Sequence, residues 1–168
     1  GQQNRPITFD LITHGTAGLI ARAYIANHTG GAGQDVVDRC ITINTPHLGT
    51  WWLESMPPNS PTFRASPHLF ETRPSFLMTV FPSQTAGGYG STRFFQLGSK
   101  VNRNPQEPEG VPGWPFDRAD DGLVSAYSAL FPFAGKQTIS RATTSATHFE
   151  PPKTFSETAL WLEQFLKM

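Results

Sequence analysis

Residues Asp10 to Tyr24 read Asp-Leu-Ile-Thr-His-Gly-Thr-Ala-Gly-Leu-Ile-Ala-Arg-Ala-Tyr. A short apolar run enters a turn of small residues and leaves as a helix-forming run. Such a junction suits acyl-transfer chemistry. The residue at the turn is presented from strained backbone, the helix N-terminus favours an anion beside it, and the next N–H donates to that anion. Gly15 occupies the turn; it accepts a positive φ without cost but supplies no nucleophile. Far downstream comes a carboxylate pair, Asp120-Asp121, and Thr147-His148-Phe149 places an imidazole 27 residues after Asp121. Turn, acid and imidazole in that chain order are the ingredients of a nucleophile, an orienting carboxylate and a general base.

These residues need a scaffold. Ile7 to Ile12 is apolar and β-prone and reads as a buried parallel strand ending at the His14-Gly15 turn. From Thr16 to about Asn27, Leu19, Ile20, Ala23 and Tyr24 recur at helical spacing, and Thr29-Gly30-Gly31-Ala32-Gly33 stops the helix. Val36 to Asn44 predicts a second strand, which completes a βαβ unit. Thr92 to Val101 and Lys136 to Thr143 predict two more. Lys153 to Lys167 predicts an amphipathic helix, with Phe155, Ala159, Leu162, Phe165 and Leu166 on one face and Glu157 and Glu163 on the other. Between the second and third strands, Trp51 to Gly90 is rich in Pro, Ser, Thr and aromatics without a clear period. Its many large apolar residues favour a lid or binding loop over disorder.

Bulk composition narrows the function classes. The chain has 168 residues, enough for one domain with a real core. Its formal net charge is zero, which argues against nucleic acid or an acidic membrane surface as an electrostatic partner. It holds 15 glycines and 15 prolines, so loops take a large share. One cysteine, Cys40, rules out an internal disulfide and a cysteine-based zinc site; in its apolar run it reads as a buried thiol. No segment reaches the ~20 apolar residues of a membrane span. No signal peptide is visible, and Gly1-Gln2-Gln3 reads as a processed or mid-chain start.

Four landmarks carry a family resemblance. Thr13-His14-Gly15-Thr16-Ala17-Gly18-Leu19-Ile20-Ala21-Arg22 is similar to the lipase pattern Gly-His-Ser-x-Gly-Gly-Leu-x-Ala-Arg, with Gly15 in the serine position. Ile41 to Thr50, through Asn44-Thr45-Pro46-His47-Leu48-Gly49, resembles Thr-Leu-x-Thr-Pro-His-x-Gly-Ser. Asp120-Asp121-Gly122-Leu123-Val124 resembles the Asn-Asp-Gly-Val-Val segment that carries the triad acid, and Thr147-His148-Phe149 follows where the triad histidine belongs. Together they cover Asp10 to Phe149 and resemble the α/β-hydrolase-fold lipases and esterases, nearest to the group around lecithin–cholesterol acyltransferase and bacterial triacylglycerol lipases.

The resemblance implies an α/β fold: a mostly parallel sheet flanked by helices, one domain over residues 1–168, with a lid-like irregular insertion at about 51–91. His148 would act as base and Asp121 would hold its tautomer, with Asp120 and Asp117 as weaker candidates for the acid. The N–H of Thr16 would be an oxyanion donor, and Trp51, Trp52, Phe76 and Leu77 would contact substrate. A one-residue shift that makes Thr16 the nucleophile moves the hydroxyl off the elbow. His14, His47 and Arg22 read as structural. The implied activity is carboxylic-ester hydrolysis through an acyl-enzyme, inactive as written because Gly15 lacks the hydroxyl, whether natural or engineered. A pseudoenzyme binding an acyl ligand or partner protein, and an acyltransferase or amidase, are the alternatives. No cofactor is expected. Glu150 stands where some related lipases keep a calcium-binding carboxylate, and no second carboxylate accompanies it. The resemblance leans toward secretion.

The family also places several strands, and a second oxyanion donor, ahead of the elbow strand. They are absent from this chain, which reads as the C-terminal portion. The Ile7–Ile12 strand would then be an exposed apolar edge, and an N-terminal companion chain or fragment is expected to complete the sheet.

Overall fold

The computed structural model describes residues 8–28, 36–50, 53–81, 88–99, 124–134, 137–144 and 155–168. Four strands, β1 (Phe9–His14), β2 (Val37–Ile43), β3 (Arg93–Ser99) and β4 (Thr138–Thr144), form one sheet in the order β1-β2-β3-β4. Every pairing is parallel. Helix α1 (Ala17–Asn27) connects β1 to β2, and α5 (Phe155–Lys167) closes the chain.

The two central strands, β2 and β3, bury both faces by alternation. Cys40 and Phe94 pack with Ala21 and Ile25 of α1, together with Tyr89 and Phe133. Ile41, Ile43, Phe95 and Leu97 pack with Phe165 of α5 and the half-buried Trp161 and Leu162. Neighbouring residues such as Cys40 and Ile41, or Phe94 and Phe95, thus serve opposite layers. Burial pushes the Cys40 thiol up to about 12, so it is an inert core group. On α5 the sequence grouped Leu166 with Phe165, but Leu166 is 41% exposed while Phe165 is 1%. The inward stripe runs through Thr158, Trp161, Leu162 and Phe165 at helical spacing, and the next residue turns away by a further ~100°.

β1 extends two residues past its expected end, because Thr13 and His14 still pair with Thr42 and Ile43. It lies at the sheet edge, and Phe9 and Ile12 are 45% and 50% exposed instead of buried. At the opposite ends of the strands, Arg39 pairs with Asp10 at 2.8 Å and Arg93 with Asp38 at 2.9 Å. The same arginines donate to the carbonyls of Leu166 and Met168, two groups that the last turn of α5 cannot satisfy internally.

The stretch without clear periodicity holds three short helical pieces: α2 (Pro61–Ala65), a 3-10 turn (Pro67–Thr72) and α3 (Pro74–Val80). Each opens on proline, whose fixed φ and missing N–H suit the first helical position. They are too short to show a 3.6 period, but the Ser60-Pro61, Ser66-Pro67 and Arg73-Pro74 pairs mark their starts. Phe63 and Phe70 meet edge-to-face at 5.5 Å, and the Arg73 guanidinium lies 3.8 Å over the Phe70 ring. A four-residue helix α4 (Ala126–Ala129) precedes β4.

Candidate active site

The turn between β1 and α1 is built by three local facts. Gly15 has φ 56°, a region that L residues with a Cβ rarely adopt. Its N–H donates to the Ile43 carbonyl at 2.9 Å, which ties the turn to the end of β2. Thr16 then takes helical geometry (φ −64°, ψ −21°) as N-cap of α1, with no side-chain cap bond. Its hydroxyl is therefore spent on no capping role, and its amide begins the helix, whose N-terminus favours negative charge. Gly18 allows the helix to descend onto Thr45. A Cβ at residue 18 would lie 2.1 Å from the Thr45 Oγ1.

All four strands run in one direction, so their C-terminal ends share one edge, the usual ligand side of a parallel sheet. Gly15 leaves β1 there. Asn44 leaves β2 there with φ 49°, fully buried, donating from Nδ2 to the Ser99 Oγ at 2.8 Å. That bond locks the ends of β2 and β3 together. Asn44 was not singled out from sequence, although asparagine is a residue that tolerates the left-handed region. The segment after β2 is anchored by α4: the Leu48 N–H donates to the Ser128 Oγ at 3.0 Å, which donates to the Gly49 carbonyl at 2.9 Å.

Asp121, with Asp117 and Asp120, lies outside the described residues, as do His148, Trp51, Trp52 and Glu150. Phe76 and Leu77 sit on α3, the first half-buried and the second buried. Among the described residues no group of three His, Cys, Asp or Glu is placed to hold a metal ion. Among them, too, no helix is long and apolar enough to cross a membrane.

His47 and Arg22 are both buried. The His47 ring packs against Phe133 with centroids 4.2 Å apart, and its Nε2 is 3.1 Å from the Thr42 Oγ1. Burial, and then the charge of Arg22, hold it well below its ordinary 6.5. A sign follows. Below pH 6.5 the unfolded chain takes up a proton that the folded chain refuses, so protons favour unfolding. Between the two pKa values His47 should remove up to about 1.4 kcal/mol of stability per pH unit of acidification. Urea melts at several pH values should show His47→Gln with a flatter profile below neutrality. Parallel profiles for the two proteins would refute this assignment.

No protein-family model matches the chain. No curated protein matches it either. Solved structures do. Over 96% of its length the chain is similar to the mature form of the Bacillus licheniformis lipase BlEst2, with TM-score 0.62 and 18% identity. The propeptide form of the same lipase gives TM-score 0.67 at 18% identity, covering 94% of this chain and 36% of that one. EstA from Clostridium botulinum gives 0.64 at 10% identity, covering 95% of this chain and 64% of that one. The chain spans 65% of the mature lipase's length. At these identities the likeness establishes the fold, the α/β arrangement of lipase structures.

Proposed function

We propose that this chain is a single α/β-hydrolase domain, the C-terminal portion of a carboxylic-ester hydrolase of the lipase and esterase type. Residue 15 is its nucleophile position, emptied by glycine. The carrying observation is the positive φ of Gly15 at the junction of β1 and α1. Glycine holds that conformation without strain, whereas a residue with a Cβ would be strained there, and strained positions of that kind gather at functional sites. Strand order supports the rest. β4 is three strands from β1, or about 14 Å at ~4.8 Å per strand. His148 is four residues beyond Thr144, a reach of up to ~14 Å. Asp121 is three residues before Val124, which is buried next to α4 in sequence, and α4 is bonded to the loop after β2.

In this reading His148 removes the proton from a hydroxyl at residue 15 as it attacks the ester carbonyl, and then returns it to the leaving alkoxide. Asp121 fixes the imidazole tautomer and stabilises the imidazolium. The Thr16 amide donates to the tetrahedral oxyanion. The insertion, with Trp51, Trp52, Phe76 and Leu77, supplies the apolar acyl surface. No cofactor takes part. The direct test is covalent capture: the Gly15→Ser chain should gain the mass of one phosphonyl group from a fluorophosphonate ester, at Ser in position 15, and the unmodified chain should not. A folded Gly15→Ser chain that resists labelling removes the reading.

A glycine at this position also fits a pseudoenzyme that binds an acyl ligand without turnover. Titration of the unmodified chain with octanoate separates the two: micromolar binding favours the pseudoenzyme.

The exposed edge of β1 adds a partner. Phe9 and Ile12 present apolar surface on the strand that lies at the sheet edge among the described residues, and such an edge is a template for another strand. We assign that edge to an N-terminal companion, in the same precursor or in a separate chain. By sedimentation the isolated 18.5 kDa chain should self-associate at tens of micromolar. A stable monomer there would refute the assignment.

A further inference from the structure

We infer that Arg22 is a positioning residue that fastens the end of the insertion to the elbow helix and so sets the acyl-binding surface. This rests on the ester-hydrolase reading for its consequence, but not for its geometry.

Arg22 is 4% exposed on α1, and its guanidinium lies between two rings, 4.2 Å from the Phe81 centroid and 4.3 Å from the Phe133 centroid. Its Nε donates to the Tyr89 hydroxyl at 2.7 Å and its Nη1 to the His47 carbonyl at 3.1 Å. Among the described residues it forms no ion pair; its charge is met by two π faces, a phenol oxygen and a carbonyl. Burial lowers its pKa, opposed by Tyr89. A buried cation among neutral partners is an expensive way to fill space. It is well suited to geometry, however, because a planar guanidinium stacks on both faces while its edge donates in fixed directions.

The partners reveal what is being fixed. Phe81 is the first residue after α3, and Tyr89 precedes β3. The two ends of the connection from the insertion back to the sheet therefore meet on one side chain of the elbow helix. The start of α3 is held separately: Glu54 accepts from the Ser75 N–H at 3.0 Å, and the Thr50 N–H donates to the Thr72 carbonyl at 2.8 Å. α3 carries Phe76 and Leu77, both proposed to meet the acyl chain. The Arg22–Phe81 stack holds the other end, at the residue that follows α3.

Two variants test this. Phe81→Ala removes one half-buried ring, and Arg22→Lys keeps the charge but loses the planar stack and the Nε bond to Tyr89. Both should speed hydrogen exchange at the α3 amides by about 10-fold or more while leaving β2 and β3 protected. Unchanged α3 exchange, or an equal rise across the sheet, overturns the assignment; the second result would make Arg22 an ordinary core residue. In the Gly15→Ser background, KM for an octanoate ester should rise severalfold more than KM for an acetate ester. Equal shifts would overturn the acyl-surface role. An inert Gly15→Ser chain would instead count against the hydrolase reading and leave the exchange result standing.

Discussion

Gly15→Ser is expected to raise the hydrolysis of p-nitrophenyl butyrate at least ~10³-fold over the glycine chain, because the proposed function assigns residue 15 as the nucleophile position and glycine supplies no hydroxyl there. The gain should depend on Asp121 and His148, the two residues proposed to act with it. His148→Ala in the serine background should return the rate to about the glycine level, since members of a triad act as a unit. Asp121→Asn should lose most of it by presenting the wrong tautomer. Activity should come with a stability loss. At φ 56° a Cβ meets the neighbouring carbonyl, which costs about 1–2 kcal/mol for an L residue. Initial rates and denaturant midpoints on the same preparations check both halves. A serine chain that is slightly less stable and hydrolytic fits; one that is folded, inert and unchanged in stability contradicts both the chemistry and the elbow geometry.

Gly18→Ala is expected to destabilise the protein by about 2–3 kcal/mol, against the ~1 kcal/mol that alanine would contribute within a helix. The reason is contact. The new methyl would lie 2.1 Å from the Thr45 Oγ1, 2.6 Å from its Cγ2 and 2.8 Å from its Cβ. Thr45 cannot swing aside as a lysine would, because it is β-branched and buried, and its Cβ moves only with the backbone. Either α1 lifts or the loop after β2 shifts, and both disturb the turn at Gly15. A second change, Thr45→Gly, clears the space and should recover more than half of the loss in a double-mutant cycle followed by urea denaturation. Additive losses would show that the clash is relieved elsewhere and that the helix–loop approach is not what demands glycine.

The strand-to-helix junction that holds Gly18 was legible before any coordinates, although its contact with Thr45 was not. Small residues after a strand-to-helix turn announce a close approach, and the pattern from Asp10 to Arg22 placed the strand, the turn and the helix within two residues of their ends. The four strands and the closing helix were legible too, because alternation and helical spacing are local properties written by the burial each residue must find. The three short helices of the insertion were not read, since pieces of five to seven residues show no period. Their proline starts were the available signal. Leu166 was misplaced because a helical face drawn from spacing alone is wider than the stripe that its neighbours cover.

The parallel direction of the strands and the edge position of the first are already expected from the βαβ unit and the family resemblance; the order β1-β2-β3-β4 and its register were decided by tertiary pairing, which the chain cannot express one segment at a time. The same is true of Arg22. As a residue type it says only that it is charged; its two stacked rings and its phenol come from positions 81, 89 and 133, distant in sequence and brought together only by packing. Asn44 belongs with it, its positive φ set by bonds to Leu97 and Ser99 on the neighbouring strand. Sequence determined which residues can do chemistry and in what order they come, because side-chain identity and local periodicity are carried by the chain itself. Only the folded molecule decided which of them are desolvated, strained or neighbours, because those properties belong to contacts between segments.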